Sequence, residues 1–132
     1  MKKTLVAFVL SGFWIGGSEF LRNELLFKNL WIDKYQSLGL VFPSSAINNA
    51  LWAVWSFVLA GVLLYLVRNV RFIQAVTVTW ITTFFMMWVV IGNMNVLPYG
   101  ILWIAVPWSL VEVAVAGVIS IRIAEGRTEQ RS

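Results

Sequence analysis

The chain has no cysteine and no histidine among its 132 residues. Without cysteine there is no disulfide framework to staple a small fold. With histidine missing too, zinc sites of the Cys/His type, iron–sulfur clusters, His-ligated haem and Cys or Ser-His nucleophiles are all excluded. Charge is scarce: 12% of residues are Asp, Glu, Lys or Arg, about half the share of a soluble domain. No G-x-x-x-x-G-K-[ST] or G-x-G-x-x-G run is present to cradle a phosphate. The sequence therefore implies no cofactor, no metal and no catalytic residue set, and an enzyme is the reading it favours least.

What is abundant is apolar side chain, 60% of the chain. Crossing about 30 Å of hydrocarbon takes about 20 residues of helix. Stretches of that length run from about Thr4 to Glu24, Ala46 to Val67, Phe72 to Leu97 and Ile101 to Ile121. They are separated by Arg68-Asn69-Val70-Arg71 and by Pro98-Tyr99-Gly100, with one long connection. The expected fold is all-α, a polytopic membrane protein with one four-transmembrane-helix bundle over residues 1–132. Met1-Lys2-Lys3 before an apolar run also resembles a signal peptide, but no clean small-x-small cleavage site follows. The first stretch is therefore expected to stay as a span.

The net charge of +4 is a topological signal. With the N-terminus inside, Lys2, Lys3, Arg68, Arg71, Arg122, Arg127 and Arg131 fall on the inner side, against Arg22, Lys28 and Lys34 outside. An excess of Lys and Arg marks the cytoplasmic side, so both termini are expected in the cytoplasm, most simply at a bacterial inner membrane. The basic residues sit at helix ends and form no patch, so no nucleic-acid partner is implied. Membrane lipid is the expected partner, with a second copy of the chain as an alternative.

The outer connection, residues 28–45, is too apolar to extend into water. It is expected to lie along the interface or to fold over the mouth of the bundle, with Trp31 and Tyr35 one helical turn apart. Within the spans, small and polar residues at spacings of three and four mark the faces turned inward. They are Gly12, Gly16, Glu19 and Asn23; Asn49, Ala53, Ser56 and Ala60; and Ala105, Ser109, Glu112, Ala116 and Ser120. The third span is less regular, with Ala75, Thr79, Thr82 or Thr83, Met86 and Asn93.

The carboxylates are where chemistry would reside. Glu112 lies ten residues before Arg122, about 15 Å along a helix and so near the bilayer midplane. An ionisable group there costs at least about 2.5 kcal/mol and usually faces a partner or water. Glu112 is thus a candidate proton or cation site, or else a neutral acid bonded to Thr79, Thr82 or Ser56. Glu19 lies nearer the outer surface, with Arg22 and Asn23 on the adjoining face. The pair either caps the span as an ion pair or lines a vestibule with Glu112 below it. Trp52, Trp55 and Trp108 fall at the depth of Glu19, where aromatic rings beside a carboxylate suit a lipophilic cation or simply pack against headgroups. Asn49 and Ser109 join the candidate residues at this level.

These features suggest a small transporter or permeation unit that couples protons to a hydrophobic or cationic solute, plausibly as a homodimer. The alternative is a non-catalytic lipid- or hydrophobic-ligand-binding protein, or an accessory subunit of a membrane complex.

Overall fold

The computed structural model describes residues 1–124. Arg127, Arg131 and the rest of the tail after Ala124 lie outside the described residues. The described chain is all-α. Its helices are α1 (Lys2–Phe20), α2 (Lys28–Ser37), α3 (Ala46–Asn69), α4 (Phe72–Trp80), α5 (Met86–Asn93) and α6 (Leu102–Ala124). A π-helical stretch, Leu21–Leu26, continues α1, and another, Ile81–Phe85, joins α4 to α5. Among the described residues, the helical units Lys2–Leu26, Ala46–Asn69, Phe72–Asn93 and Tyr99–Ala124 are long and apolar enough to cross a membrane. Large apolar side chains such as Phe13, Val58, Ile73 and Val111 stay exposed on their outer faces. That is the surface a helix shows to lipid rather than to water. These four candidate membrane-spanning helices suggest an integral membrane protein.

The third span ends at Asn93 rather than at Leu97. Asn95 takes the left-handed conformation with φ 62°, which Asn tolerates better than most residues. The Tyr99 hydroxyl then donates to the Gly92 carbonyl at 3.1 Å, tying the turn down. At the opposite end, α3 stops at the extended Val70. The Arg71 backbone N–H donates to the Gln74 side chain at 3.3 Å, which opens α4.

The long connection is not a loop over its whole length. Its first part is α2, ended by Gly39 with φ 70°. The backbone N–H of Gly39 donates to Gln36 and that of Leu40 to Tyr35, each at 2.9 Å. This is the Schellman arrangement that only a residue tolerant of positive φ makes cheaply. Trp31 packs against the core, and Lys34 Nζ donates to Asn95 Oδ1 at 3.3 Å. The helix thus runs across the end of the bundle, from span one to the turn that follows α5.

α1 is the central helix, packed against both α3 and α6, while α4 packs against α6 and α3. Near the termini the contacts are close and neutral. The ring of Phe57 covers Gly12, and a Cβ at Gly117 would sit 2.8 Å from Phe72. The hydroxyls of Ser11 and Ser120 bond at 3.0 Å. Small residues let the backbones approach, as membrane helices require when lipid competes for every apolar face. The expected inward stripe of α6 is buried at every position: Ala105, Ser109, Glu112, Ala116 and Ser120. In α3 only its lower part is, since Asn49 and Ala53 are exposed and Ala53 lines a surface groove beside Phe8 of α1.

Candidate functional site

Helical side chains lean toward the N-terminus of their own helix. α1 runs away from the termini and α6 runs back toward them, so Glu19 leans down and Glu112 leans up. The two carboxyl groups come close enough to act on each other. Glu112 therefore lies beside the Glu19–Arg22 pair, and the two-storey vestibule expected from depth along the helices collapses into one cluster. Glu112 is 1% exposed, Arg22 2% and Glu19 5%. Arg22 Nη2 donates to Glu19 Oε1 in an ion pair, and its Cζ stands 5.5 Å from the centre of the Phe84 ring.

Each carboxylate is held by an amide or hydroxyl that a tryptophan orients in turn. Asn23 Nδ2 donates to Glu19 Oε2 at 3.0 Å, while Trp31 Nε1 donates to Asn23 Oδ1 at 3.1 Å. Because an indole N–H can only donate, Asn23 must turn its amide nitrogen toward Glu19. On the other side, Trp108 Nε1 donates to Ser18 Oγ at 2.8 Å, and Ser18 Oγ donates to Glu112 Oε2 at 2.5 Å. Trp14 Nε1 donates to the backbone carbonyl of Glu112 at 3.0 Å. Four buried polar atoms lack a hydrogen-bond partner among the described residues: Glu112 Oε1, Arg22 Nε and Nη1, and Thr79 Oγ1.

Both π-helical stretches open onto this cluster. Arg22 lies in the first and Phe84, the ring beneath it, in the second. A π turn leaves carbonyls that an α-helix would have paired, and such turns recur at functional sites. Here polar side chains take them up. Asn23 Nδ2 donates to the Glu19 carbonyl at 3.2 Å, and Thr83 and Thr82 donate to the Thr79 carbonyl at 2.6 and 3.2 Å. Asn23 and the Thr82–Thr83 pair supply the donors that let the widened turns persist inside the bundle.

The structure gathers Glu112, Glu19, Arg22 and Trp108 into one site. Trp55 is half-buried and stands edge-on to Phe84 at 5.4 Å, one ring away from Arg22. Ser109 is fully buried, but its partners are Trp80 Nε1 at 2.8 Å and the Val106 carbonyl. Trp52 faces outward, leaning only on Trp55, and Asn49 is exposed near the start of α3. Thr82 and Ser56 do not serve Glu112, since both donate to carbonyls one turn back along their own helices. The partner is Ser18 instead. Ser18 lies one turn after Trp14, on the side of α1 turned to α6, and that spacing was the available signal for it. Phe84 carried none, because its place under Arg22 depends on the π turn.

An apolar surface groove of about 560 Å³ runs between α1 and α3, lined by residues such as Phe8, Phe57 and Gly61 and not by the carboxylates. Comparison with known protein families, with curated proteins and with solved structures gives no significant match.

Proposed function

We propose that this four-span membrane protein is a small transporter or permeation unit that exchanges a cationic or hydrophobic solute for protons, with Glu112 and Glu19 as the coupling site. The observation that carries this reading is the composition of the cluster. Two buried carboxyl groups share a single guanidinium, so the site is charge-balanced only when one further positive charge joins it. Burying an unbalanced charge in the low-dielectric interior is costly. A proton and a solute cation can therefore compete for the same place, which is the basic requirement of coupled exchange. Phe84, Trp55 and Trp108 surround the site with rings that suit a lipophilic cation.

In this reading the termini are cytoplasmic. Lys2, Lys3, Arg68, Arg71 and Arg122 lie at the termini end, while Arg22 is taken out of the flanking charge by its ion pair with Glu19. A homodimer is part of the proposal, since four helices alone make a thin wall around a path. The groove between α1 and α3 favours a second reading, a binding protein that holds a lipid chain along that face.

Reconstitution into proteoliposomes separates the two. An imposed pH gradient should drive accumulation of a fluorescent lipophilic cation, and Glu112→Gln should abolish it. Unchanged accumulation in the variant, or none with any cation tested, rejects the transporter.

A further inference from the structure

We propose that the cluster holds a single exchangeable proton, carried on Glu112, and that the number of protons it holds equals the number of its carboxyl groups less one for Arg22. This rests on the proton-coupled reading above and names the atom and the stoichiometry behind it. The hydrogen bonds decide which carboxyl carries the proton. Glu19 Oε1 accepts from Arg22 and Glu19 Oε2 from Asn23. Trp108 donates to Ser18, so the one hydroxyl hydrogen of Ser18 goes to Glu112 Oε2. Three of the four carboxyl oxygens are thus occupied as acceptors. Glu112 Oε1 is buried with no donor, and it is the atom left for the proton.

The same count disfavours a resident metal ion. Hard cations gather about six oxygen ligands, and among the described residues no group of three or more His, Cys, Asp or Glu could hold a metal ion, whereas a proton needs only one oxygen. The titratable groups acting on Glu112 are Glu19 and Arg22, both on span one. The second span carries Tyr65 and Arg68 only near its far end, and the third, Phe72–Asn93, has no Asp, Glu, Lys, Arg or Tyr. Ser18 and Trp108 are positioning residues: they hold Glu112 Oε2 as a hydrogen-bond acceptor and so leave Oε1 for the proton.

The test is infrared difference spectroscopy of the full chain in lipid nanodiscs at neutral pH, reading the carbonyl stretch of a protonated carboxylic acid. No solute or flux is needed, so a protein that keeps its proton but transports nothing rejects the transporter and leaves this proposal standing. The wild type should show one such band. Glu112→Gln should remove it, and so should Glu19→Gln, because either variant leaves one carboxylate against one guanidinium. Arg22→Gln should raise the band to about twice its wild-type area, since both carboxyls must then be neutral.

Ser18→Ala, which removes a single hydroxyl, assigns the site. Losing the bond to Oε2 should move the band to higher frequency, whereas Asn23→Leu, which of the two carboxyl groups touches only that of Glu19, should leave it in place. A band that survives Glu19→Gln, or that shifts with Asn23→Leu and not with Ser18→Ala, overturns the proposal. So does a wild type with no band.

Discussion

Along the contact between α1 and α6, the half near the termini and the half near α2 hold the same two helices together by different means. Near the termini, Ser11 meets Ser120 and the carbonyl of Ala116, while Gly12 and Gly117 on the flanks of the same two helices let Phe57 of α3 and Phe72 of α4 close in. The groups that meet in these contacts are neutral. Near α2, the same interface contains Glu19, Arg22 and Glu112, tryptophans that donate to serine or asparagine, and π turns in two spans. The first half is built on close approach of small residues and neutral hydrogen bonds. The second contains polar atoms without partners, which close packing alone would have removed. A bundle that needed only to hold together could have repeated the first design along its whole length.

The comparison breaks most sharply at Arg22. Arg22→Met removes the one cation from a buried pair of acids, a loss worth about 3–5 kcal/mol when a partner is deleted from a buried ion pair. The sign of its pH dependence follows. The abandoned carboxylates escape the penalty by taking up protons, and that is cheaper at low pH. The destabilisation should therefore be large above neutral pH and shrink as pH falls. Unfolding by sodium dodecyl sulfate in mixed micelles, followed across pH, measures it. A pH-independent loss would mean that Arg22 acts through packing on Phe84 rather than through charge.

At the neutral end the sensitive position is Gly12. A methyl group there would run into the ring of Phe57, which is itself packed against Phe8 and Phe13, each with ring centres at 5.5 Å. Gly12→Ala should cost about 1–3 kcal/mol, the usual range for overpacking, and the loss should not vary with pH. Adding Phe57→Ala should return part of it. Uptake by reconstituted protein should survive Gly12→Ala in proportion to the folded fraction, in contrast to Glu112→Gln.

The neutral half was the easier to read from sequence. Small residues at spacings of three and four on α6 predicted its buried face residue by residue, because a regular helix turns sequence spacing directly into a face. Spans two and three were legible only in part. Asn49 and Ala53 fit the spacing yet are exposed, Ala53 on an open groove beside Phe8. Past Thr79 the π turn of Ile81–Phe85 changes the periodicity, so Met86 and Asn93 are exposed while Phe84 and Trp88 are buried. The site was visible as a list of scarce charges, and depth counting placed Glu112 below Glu19. That count follows backbone positions and misses the opposite lean of side chains on antiparallel helices, which brings the carboxyl groups together. Ser18 could be placed on the α6-facing side of α1 by its spacing from Trp14, but that spacing does not name Glu112, more than 90 residues away, as its partner.

The smallest predicted effect compares two serines of one helix. Ser11→Ala removes a hydroxyl–hydroxyl bond between neutral partners, and a double-mutant cycle with Ser120→Ala should give about 0.6 kcal/mol, the average for side-chain hydrogen bonds between membrane helices. Ser18→Ala paired with Glu112→Met tests a hydroxyl bonded to a carboxyl group. A bond to a charged acceptor contributes about 1.5–3 kcal/mol, against the smaller figure for a neutral pair. If Glu112 holds its proton on Oε1, the acceptor of Ser18 is the carbonyl oxygen of a neutral acid at neutral pH. The Ser18–Glu112 coupling should then be close to that of Ser11–Ser120, and it should grow only when high pH removes the proton. Two equal cycles that separate at high pH would locate the difference between the halves in one proton. A Ser18 cycle already larger at neutral pH would place a standing charge on Glu112 instead.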